Sequence, residues 1–304
     1  MSSYDAVLIA GPTASGKSAA ALQLAEKLGG AIINADSMQV YREAPILTAQ
    51  PSAADQARVP HLLYGHVSVA DVYSVGRYAQ DAAAALVQAR AAAKLPIFTG
   101  GTGLYFMALT EGLAQIPPTP PEIRDSARAR LEEIGVAALH AELMALDPKT
   151  ASGLRPTDPQ RVLRAYEVFE ATGRPLVEWQ QSPSEPVLKN LRLAKILVEP
   201  ARDILRDRIA RRFEAMVDQG GLDEAMALKD LDPALPAAKL LGLRPLIALG
   251  EGRLPRGEAL ELAIIATRQF AKRQGTWFRN QTPDYVRLDP TLGNIISIFD
   301  DNFA

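Results

Sequence analysis

Three short apolar runs in the first third of the chain predict buried strands. They are Asp5–Ala10, Ala31–Asp36 and Pro96–Gly101, and each ends in a polar or glycine-rich turn. Helical stretches lie between them, notably Ser18–Leu28 and Tyr78–Lys94. Strands that alternate with helices at this spacing predict a parallel sheet covered by helices. Ligands of such sheets bind beyond the carboxyl ends of the strands, so we expect the three turns to meet at one edge.

The middle of the chain follows a different pattern. A proline-dense connector, Ile116–Pro121, is followed by helical periodicity alone from Glu122 to about Trp179. Asp147–Pro148 and Asp158–Pro159 interrupt this periodicity, because proline does not fit inside a helix. A second connector, Ser182–Pro186, closes the segment. The segment therefore predicts a group of helices.

A strand-like pattern returns at Leu191–Val198, and long amphipathic helices follow over Arg202–Met216 and Ala259–Gln274. The simplest architecture that accounts for this order is an α/β core with a helical insertion. We predict a core of residues 1–116 and 187–304, and a small all-helical domain of residues 117–186 inserted into it.

Composition restricts the possible classes of function. The 304 residues are 48% hydrophobic, which is enough to bury a sizeable core. The chain contains no cysteine, so disulfides, zinc ribbons and thiol catalysis are excluded. No long apolar run is present, and we expect neither a membrane span nor a signal peptide. The formal net charge of −2 argues against indiscriminate nucleic-acid binding but still permits a local basic groove.

The turn after the first strand matches the phosphate-binding pattern G-x-x-x-x-G-K-[ST] in the strand-to-helix context that the pattern requires. Its glycines let the backbone wrap around an anion, and N–H groups at the helix start point at that anion. Lys17 adds a mobile positive charge, and the Ser18 hydroxyl can reach Mg²⁺. The pattern leaves the identity of the polyphosphate open. The predicted P-loop consists of Gly11, Pro12, Thr13, Ala14, Ser15, Gly16, Lys17 and Ser18.

Two further turns present polar side chains at the same edge. Asp36 follows the second strand, where a carboxylate can act as a general base or hold a metal. In that position it can equally cap a helix. Thr102 follows the third strand within a glycine-rich turn that permits close backbone approach. Its hydroxyl either faces the same crevice or belongs to a simple tight turn.

The segment Thr267–Arg279 is rich in cations and aromatic rings and contains no acidic residue. Cations for phosphates and aromatic faces for unstacked bases are typical of single-stranded or loop RNA recognition. The alternative is a core helix that buries Phe270 and Trp277 and keeps its basic residues on the solvent side. The basic residues of the segment are Arg268, Lys272, Arg273 and Arg279.

Several segments in a fixed order resemble the tRNA dimethylallyltransferase family, whose members are also called tRNA isopentenyltransferases. The segments are GPTASGKS, ADSMQVYR, TGGTGLY, DPQRVLRAYEV and TRQFAKRQGTWFR, and the resemblance runs from about Val7 to Arg279. The P-loop is shared by many families, whereas the second and the last segment are much more specific. Since the chain has no cysteine, it lacks the C-terminal zinc finger of some eukaryotic members and resembles the bacterial type.

The resemblance implies a P-loop α/β core and a prenyl transfer. In this family the N6 amine of the adenosine just 3′ of the anticodon attacks C1 of dimethylallyl diphosphate, and diphosphate leaves. By resemblance, Lys17 and a Mg²⁺ ion near Ser18 stabilise the leaving group. Asp36 accepts the proton of the amine, and Thr102 helps to orient the amine. The expected catalytic residues are therefore Lys17, Asp36 and Thr102.

The resemblance also implies two sets of binding residues. The helix that carries Arg208 and Arg212, one turn apart, resembles a family helix with phosphate-facing arginines, and solvated surface charges are the alternative interpretation. The expected tRNA contacts lie in both predicted domains. They are Asp36, Ser37, Met38, Gln39, Thr102, Arg124, Gln160, Arg161, Val162, Leu163, Arg164, Arg268, Lys272, Arg273, Gln274 and Trp277.

Two other functions account for part of the pattern. A P-loop kinase of a small metabolite would use Lys17 and Ser18 in the same way and could recruit Asp36, but it leaves the segment 267–279 unexplained. A nucleotide-regulated RNA-binding module explains that segment and the P-loop, but gives Asp36 and Thr102 no role. The resemblance favours a monomeric, cytoplasmic transferase with Mg²⁺ as cofactor. Its expected partners are the anticodon stem-loop of tRNA and dimethylallyl diphosphate, with no membrane.

Overall fold

The computed structural model describes residues 4–291 and 293–303, and the chain forms two compact units. The first unit combines Met1–Thr110 with Val187–Ala304, and the second is Glu111–Pro186. The second unit ends where the sequence predicted but begins at Glu111 rather than at residue 117. The Ser184 N–H donates a hydrogen bond to the Leu113 carbonyl oxygen over 2.6 Å, so the insertion starts to pair with itself ahead of its prolines.

Within the described residues, the first unit is built on a parallel six-stranded sheet in the order β3-β2-β4-β1-β5-β6. Its central strand β1 is fully buried on both faces, as in sheets covered by helices on both sides. The α/β prediction is therefore confirmed. The strands are β1 Ala6–Ala10, β2 Gly30–Asn34, β3 His61–Leu62, β4 Leu95–Gly100, β5 Leu193–Val198 and β6 Val286–Leu288.

Strands β1, β2, β4 and β5 correspond to the apolar runs seen in the sequence. The sequence did not predict β3 and β6, which are two and three residues long and lie at the two edges of the sheet. Such short strands are too brief to produce a recognisable apolar run or alternation.

Helices on both faces of the sheet bury the alternate side chains of β1. Val7 and Ile9 pack into a cluster with α1, whereas Leu8 and Ala10 belong to the larger cluster on the opposite face. The helices before the insertion are α1 Lys17–Leu28, α2 Ala53–Arg58, α3 Val75–Ala91 and α4 Gly103–Thr110.

The second unit is helical, and its helices begin where the sequence breaks its periodicity. Asp147 and Asp158 cap the two helices that follow, by accepting hydrogen bonds from the N–H groups of Thr150 and Arg161 over 3.0 and 3.1 Å. Each cap is followed by proline at the first helical position, where no N–H partner is lost. The helices are α5 Pro121–Leu146, α6 Pro148–Ala151, α7 Pro159–Thr172 and α8 Leu176–Gln180.

The remaining helices complete the first unit. The predicted helix Arg202–Met216 is present with those bounds, and the predicted Ala259–Gln274 is part of a longer helix. The C-terminal helix lies in a tail without a clear sequence pattern, and it buries Ile295 and Phe299 in the cluster that contains α1. No helix among the described residues has the length and apolarity to cross a membrane. These helices are α9 Arg202–Met216, α10 Leu222–Ala227, α11 Leu243–Gly250, α12 Arg256–Gln281 and α13 Ile295–Phe303.

The turns after β1, β2 and β4 meet at the carboxyl edge of the sheet, as predicted. The Gly11 N–H donates to the Gly100 carbonyl oxygen over 3.2 Å, and the Thr102 N–H donates to the Ala35 carbonyl oxygen over 3.2 Å. A Cβ atom at Gly100 would lie 2.0 Å from the Ala35 oxygen, so the two loops approach this closely only because residue 100 is glycine.

Candidate active site

The predicted P-loop curves around the start of α1. Gly16, which precedes the helix, has a φ of 98°, a left-handed conformation that favours glycine. Gly11 has no space for a side chain, because a Cβ atom there would lie 2.6 Å from the Val198 carbonyl oxygen. The first N–H groups of α1 have no partner within the helix and are available to an anion. The loop therefore has the form of a phosphate seat.

Lys17 lies beneath this loop and is almost completely buried. Its Nζ donates a hydrogen bond to the Pro12 carbonyl oxygen over 3.2 Å. Burial lowers the pKa of Lys17 to about 8, the negative charge of Asp36 partly opposes this change, and the positive charge of Arg212 adds to it. A buried ammonium with one carbonyl partner is strongly attracted to an incoming diphosphate.

Arg208 and Arg212 of α9 lie in the same cleft as Lys17 and Ser18, a space of about 660 Å³. The Arg208 Nη1 donates to the Ser15 carbonyl oxygen over 3.0 Å, and burial lowers the pKa of Arg212. Arg211 on the same helix also lines the cleft, but it is exposed and its Nη2 lies 3.9 Å from the Asp207 carboxylate. The structure thus brings both predicted arginines to the P-loop.

Asp36 lies in the loop after β2 and is buried, with only 7% of the residue exposed. No helix begins at this residue, so the helix-cap interpretation is wrong. Its Oδ1 accepts a hydrogen bond from the Met38 N–H over 3.0 Å, and no described residue donates to its other oxygen. The fully buried Asn34 fixes the loop, since it accepts from the Asp36 N–H over 2.8 Å and donates to the Asp36 carbonyl oxygen over 3.0 Å. Sequence reasoning missed Asn34.

Thr102 joins the turn after β4 to the loop of Asp36. Its hydroxyl accepts a hydrogen bond from the Ser37 N–H over 2.9 Å and donates to the Ser37 hydroxyl over 3.1 Å. The Thr102 hydroxyl therefore holds the residue next to Asp36, which is a positioning role rather than that of a free group. The turn is tight, and its hydroxyl binds the neighbouring loop of Asp36.

A small cavity of about 50 Å³ connects these elements. The polar part of its lining consists of Thr13, Lys17, Ser18, Asp36, Gln39, Thr48 and Arg212. The apolar part of its lining consists of Met38, Leu47, Leu240, Leu241 and Phe270. A carboxylate and two cations thus border a small space that also offers apolar contacts.

The loop that carries Leu47 is held from outside by a residue that sequence reasoning missed. The Glu224 carboxylate accepts hydrogen bonds from the N–H groups of Ile46 and Leu47 over 2.9 and 2.6 Å. Burial raises the pKa of Glu224, and these two hydrogen bonds oppose that change.

Gln39, expected to contact tRNA, is buried and donates to the carbonyl oxygens of Thr48 and Ala49 in the same loop. Its amide nitrogen is therefore engaged in holding this loop.

Two more residues expected to contact tRNA face inward from α12. Gln274 is only 6% exposed, and both ends of its amide bind backbone groups of the active-site loops. Trp277 is half-buried and packs so closely on the turn after β4 that a Cβ atom at Gly103 would lie 2.3 Å from its ring. Phe270 and Trp277 are both partly buried, so the core-helix interpretation holds in part for the aromatic side of this segment.

The cations of the same segment lie on the solvent side of α12. Arg268, Lys272 and Arg273 are exposed, and none of them forms a salt bridge with another described residue. Arg279 differs, since its Nη1 lies 2.9 Å from the Glu199 carboxylate. Three exposed cations without a salt bridge on one helix suit the phosphates of a nucleic acid.

The residues of the helical unit that were predicted to contact tRNA also include both exposed and buried side chains. Gln160 and Arg161 are exposed at the start of α7, and Arg124 on α5 is half-buried. Arg164 donates to the Thr119 hydroxyl over 3.1 Å. Val162 is fully buried, so its side chain is not free for tRNA, whereas Leu163 is only partly buried against the same cluster.

The described residues contain no group of three carboxylate, imidazole or thiolate side chains that could hold a metal ion. The Ser18 hydroxyl is exposed in the cleft beside Lys17. Mg²⁺ keeps several waters and is commonly bound through substrate phosphates with few protein ligands. This donor set therefore fits a Mg²⁺ ion that arrives with a diphosphate.

A P-loop, Lys17, Arg208, Arg212 and a buried carboxylate at one edge of a parallel sheet define a P-loop protein built to bind a polyphosphate. The particular family follows from comparison with known proteins. The chain belongs to the IPP transferase family, whose model matches residues 39–281. The Isopentenyl transferase model matches residues 4–64.

Named relatives cover nearly the whole chain. A tRNA dimethylallyltransferase of Rhodopseudomonas palustris (strain BisB18) is 52% identical over 287 residues, which are 94% of this chain and 91% of the relative. That of Methylocella silvestris is 52% identical over 297 residues, 97% of this chain and 98% of the relative.

Solved structures agree with this assignment. The full-length tRNA isopentenylpyrophosphate transferase from Bacillus halodurans has a TM-score of 0.67 at 32% identity, covering 98% of this chain and 95% of that chain. A eukaryotic dimethylallyltransferase captured acting on tRNA has a TM-score of 0.79 at 25% identity, covering 99% of this chain and 76% of that chain.

We expect the Lys17 amine to titrate near pH 8 in the ligand-free protein, because burial disfavours its cation. The ordinary lysine pKa is about 10.4. Below pH 8 Lys17 therefore carries the charge that attracts a diphosphate, and as the pH rises through about 8 that attraction is lost. Carbon-13 NMR of protein labelled at lysine Cε measures the midpoint, and the Lys17→Arg variant identifies the resonance. A Lys17 resonance that titrates together with those of exposed lysines would contradict the expectation.

Proposed function

We propose that this protein transfers the dimethylallyl group of dimethylallyl diphosphate to the N6 amine of the adenosine just 3′ of the anticodon in tRNA. The observation that carries the proposal is the cavity that lies between the P-loop cation Lys17 and the buried carboxylate of Asp36 and has apolar side chains in part of its wall. A bond forms between N6 and C1 of the dimethylallyl group, and the bond from C1 to the diphosphate oxygen breaks. Diphosphate leaves with the electron pair, and the amine loses one proton.

The P-loop side of the cavity stabilises the leaving group. Negative charge develops on the diphosphate as the carbon–oxygen bond breaks, and fixed donors are most effective where charge develops. Lys17, Arg208 and Arg212 supply positive charge there, with the N–H groups at the start of α1. A Mg²⁺ ion held by Ser18 and the substrate would add further positive charge to the same phosphates.

The opposite side of the cavity receives the nucleophile. An exocyclic adenine amine is a weak nucleophile, so a group that takes its proton assists the attack. Asp36 has one oxygen bound to the Met38 N–H, and the second oxygen is available for that proton. Asn34, Ser37 and Thr102 hold this carboxylate in place through the hydrogen bonds of its loop. Met38, Leu47 and Phe270 in the cavity wall offer apolar contacts to the hydrocarbon group.

The exposed cations of α12 support binding of tRNA beside this cavity. Arg268, Lys272 and Arg273 carry unpaired positive charge on the helix whose inner face packs against the active-site loops. The target base must leave its stack to enter a buried site. Arg124, Gln160, Arg161 and Arg164 are the candidates for a second set of contacts in the helical unit.

The proposal extends to the form and location of the enzyme. We infer a monomer that acts in the cytoplasm. The chain has no cysteine, as is compatible with a reducing compartment in which disulfides do not form. Arrangement of both substrates around one P-loop requires no second subunit. This inference rests on composition and on the completeness of the site within one chain.

A label-transfer assay tests the proposed reaction against the kinase alternative. Purified protein is incubated with tRNA and dimethylallyl diphosphate labelled in the prenyl group, and separately with ATP labelled in the γ-phosphate. We expect prenyl label in tRNA, at the adenosine next to the anticodon, as nuclease digestion and mass analysis of nucleosides would locate it. Transfer of phosphate to a small metabolite, with no prenyl label in tRNA, would establish the kinase instead.

We expect Asp36→Asn to lower the single-turnover rate by about 10² to 10⁴-fold, because general-base catalysis typically contributes that much. Asparagine retains the acceptor for the Met38 N–H, so the loop keeps its conformation, and affinities for both substrates should change little. Rapid-quench measurement of prenyl transfer at saturating tRNA gives the rate.

Glu43→Gln provides the matched control for Asp36→Asn. The Glu43 carboxylate also accepts a backbone hydrogen bond, from the Val69 N–H over 3.0 Å, and it does not line the cavity. This variant should retain the wild-type rate. An Asp36→Asn rate within a factor of ten of wild type would fall short of the loss expected for a general base and would exclude Asp36 from that role.

Removal of Lys272 and Arg273 should weaken the salt dependence of tRNA binding. Each lost phosphate contact reduces the slope of log affinity against log salt by about 0.7 to 0.9. The control is Lys94→Ala with Arg192→Ala, two cations that precede β4 and β5 at the opposite edge of the sheet. Titrations of labelled tRNA over a range of salt concentrations measure both slopes. Equal slopes in the two double variants would show that Lys272 and Arg273 are merely solvated.

A further inference from the structure

Gln274 links the two loops that the proposed reaction must bring together. Its Oε1 accepts a hydrogen bond from the Thr13 N–H of the P-loop over 2.9 Å. Its Nε2 donates to the carbonyl oxygen of Gly101, in the turn after β4, over 2.8 Å. The side chain is 6% exposed, so these bonds form away from water. Loss of these bonds would leave the Thr13 N–H and the Gly101 carbonyl oxygen without this partner in a buried site, which costs free energy.

The two bonds define the orientation of the amide without ambiguity. The Thr13 N–H can only donate and the Gly101 carbonyl can only accept, so the oxygen and nitrogen of Gln274 cannot exchange places. Glutamine is the uncharged side chain of this length that supplies one acceptor and one donor at its end. Glutamate would keep the bond from Thr13 but would set an oxygen against the Gly101 carbonyl.

The backbone around the amide leaves no space for other arrangements. A Cβ atom at Gly101 would lie 2.3 Å from the Gln274 nitrogen. One turn further along α12, Trp277 packs on Gly103 with the same closeness. The inner face of α12 therefore rests directly on the backbone of the turn that contains Thr102.

A continuous set of contacts runs from the phosphate seat to the carboxylate through this amide. Thr13 belongs to the P-loop and lines the cavity. Gly101 precedes Thr102, whose hydroxyl is hydrogen-bonded to Ser37, the neighbour of Asp36. A change in the position of the Gln274 amide would therefore alter the spacing between the diphosphate and Asp36.

From this geometry we infer that Gln274 is a positioning residue for prenyl transfer and makes no contact with tRNA. The inference rests on the proposed function, because it concerns the alignment of C1 with the attacking amine. Its role is to fix the P-loop at a set distance from the turn of Thr102. Misplacement of reacting groups by about 1 Å can cost about 10²-fold in rate, so the loss of this amide should be visible in the chemical step.

Gln274→Met tests the inference, since methionine has a similar length and a flexible chain but cannot form either bond. We expect the single-turnover rate at saturating substrates to fall by about 10²-fold, while the affinities for tRNA and dimethylallyl diphosphate change little. Gln274→Glu should lose rate as well, because the bond to Gly101 is broken. Gln281→Met, the same substitution at an exposed position of the same helix, should behave as wild type.

Two outcomes would overturn the inference. Weaker tRNA binding with a normal rate at saturation would make Gln274 a tRNA contact. A lower melting temperature with normal rate and affinities would make it a packing residue only. The separation of rate from affinity thus distinguishes all three roles.

Hydrogen exchange at the Thr13 amide provides a readout that does not depend on catalysis. We expect protection of this amide in the wild type and its loss in Gln274→Met, and unchanged protection would refute the link itself. If the wild-type protein transferred no prenyl group to tRNA, the proposed function would fail. The exchange result would still show whether Gln274 joins the two loops.

Discussion

The buried ammonium of Lys17 is the interaction on which the rest of the site depends. Removing a charge from water is costly, and one hydrogen bond to the Pro12 carbonyl oxygen offsets only part of that cost. The nearby Asp36 favours the charged form, whereas Arg212 opposes it. The site is thus electrostatically incomplete until an anion arrives. A diphosphate supplies negative charge beside Lys17, Arg208 and Arg212 together, so binding and preparation of the leaving group are one event.

Close backbone contacts make this arrangement rigid. Gly11, Gly100, Gly101 and Gly103 each occupy a position where a Cβ atom would collide with a neighbouring strand, loop or side chain. Because these contacts join three turns at one sheet edge, the P-loop, the Asp36 loop and the Thr102 turn cannot move independently. A packed interior transmits such constraints well. The catalytic groups are therefore held by the framework of the sheet rather than by flexible side chains.

The sequence predicted those parts of the structure that local pattern determines. The P-loop, β1 and the position of Asp36 follow from short segments with a defined strand and helix context. The inward orientation of the Gln39, Gln274 and Val162 side chains was not predicted. It depends on tertiary contacts, and the polarity of a residue alone does not show the direction of its side chain. Glu224 was missed for the same reason: its carboxylate meets the N–H groups of Ile46 and Leu47 across 178 and 177 positions. Asn34 binds only two residues away, but its role depends on the loop conformation.

Helix α12 has two sets of functional side chains on different faces. Its outer face bears the cations Arg268 and Lys272, while Gln274 and Trp277 on its inner face hold the catalytic loops. An α-helix turns by about 100° for each residue, so a single insertion between these positions would rotate one set away from its partner. A point substitution changes one contact, whereas a change of length would displace a whole set of them. The number of residues between Arg268 and Trp277 is therefore under as strict a constraint as their identity.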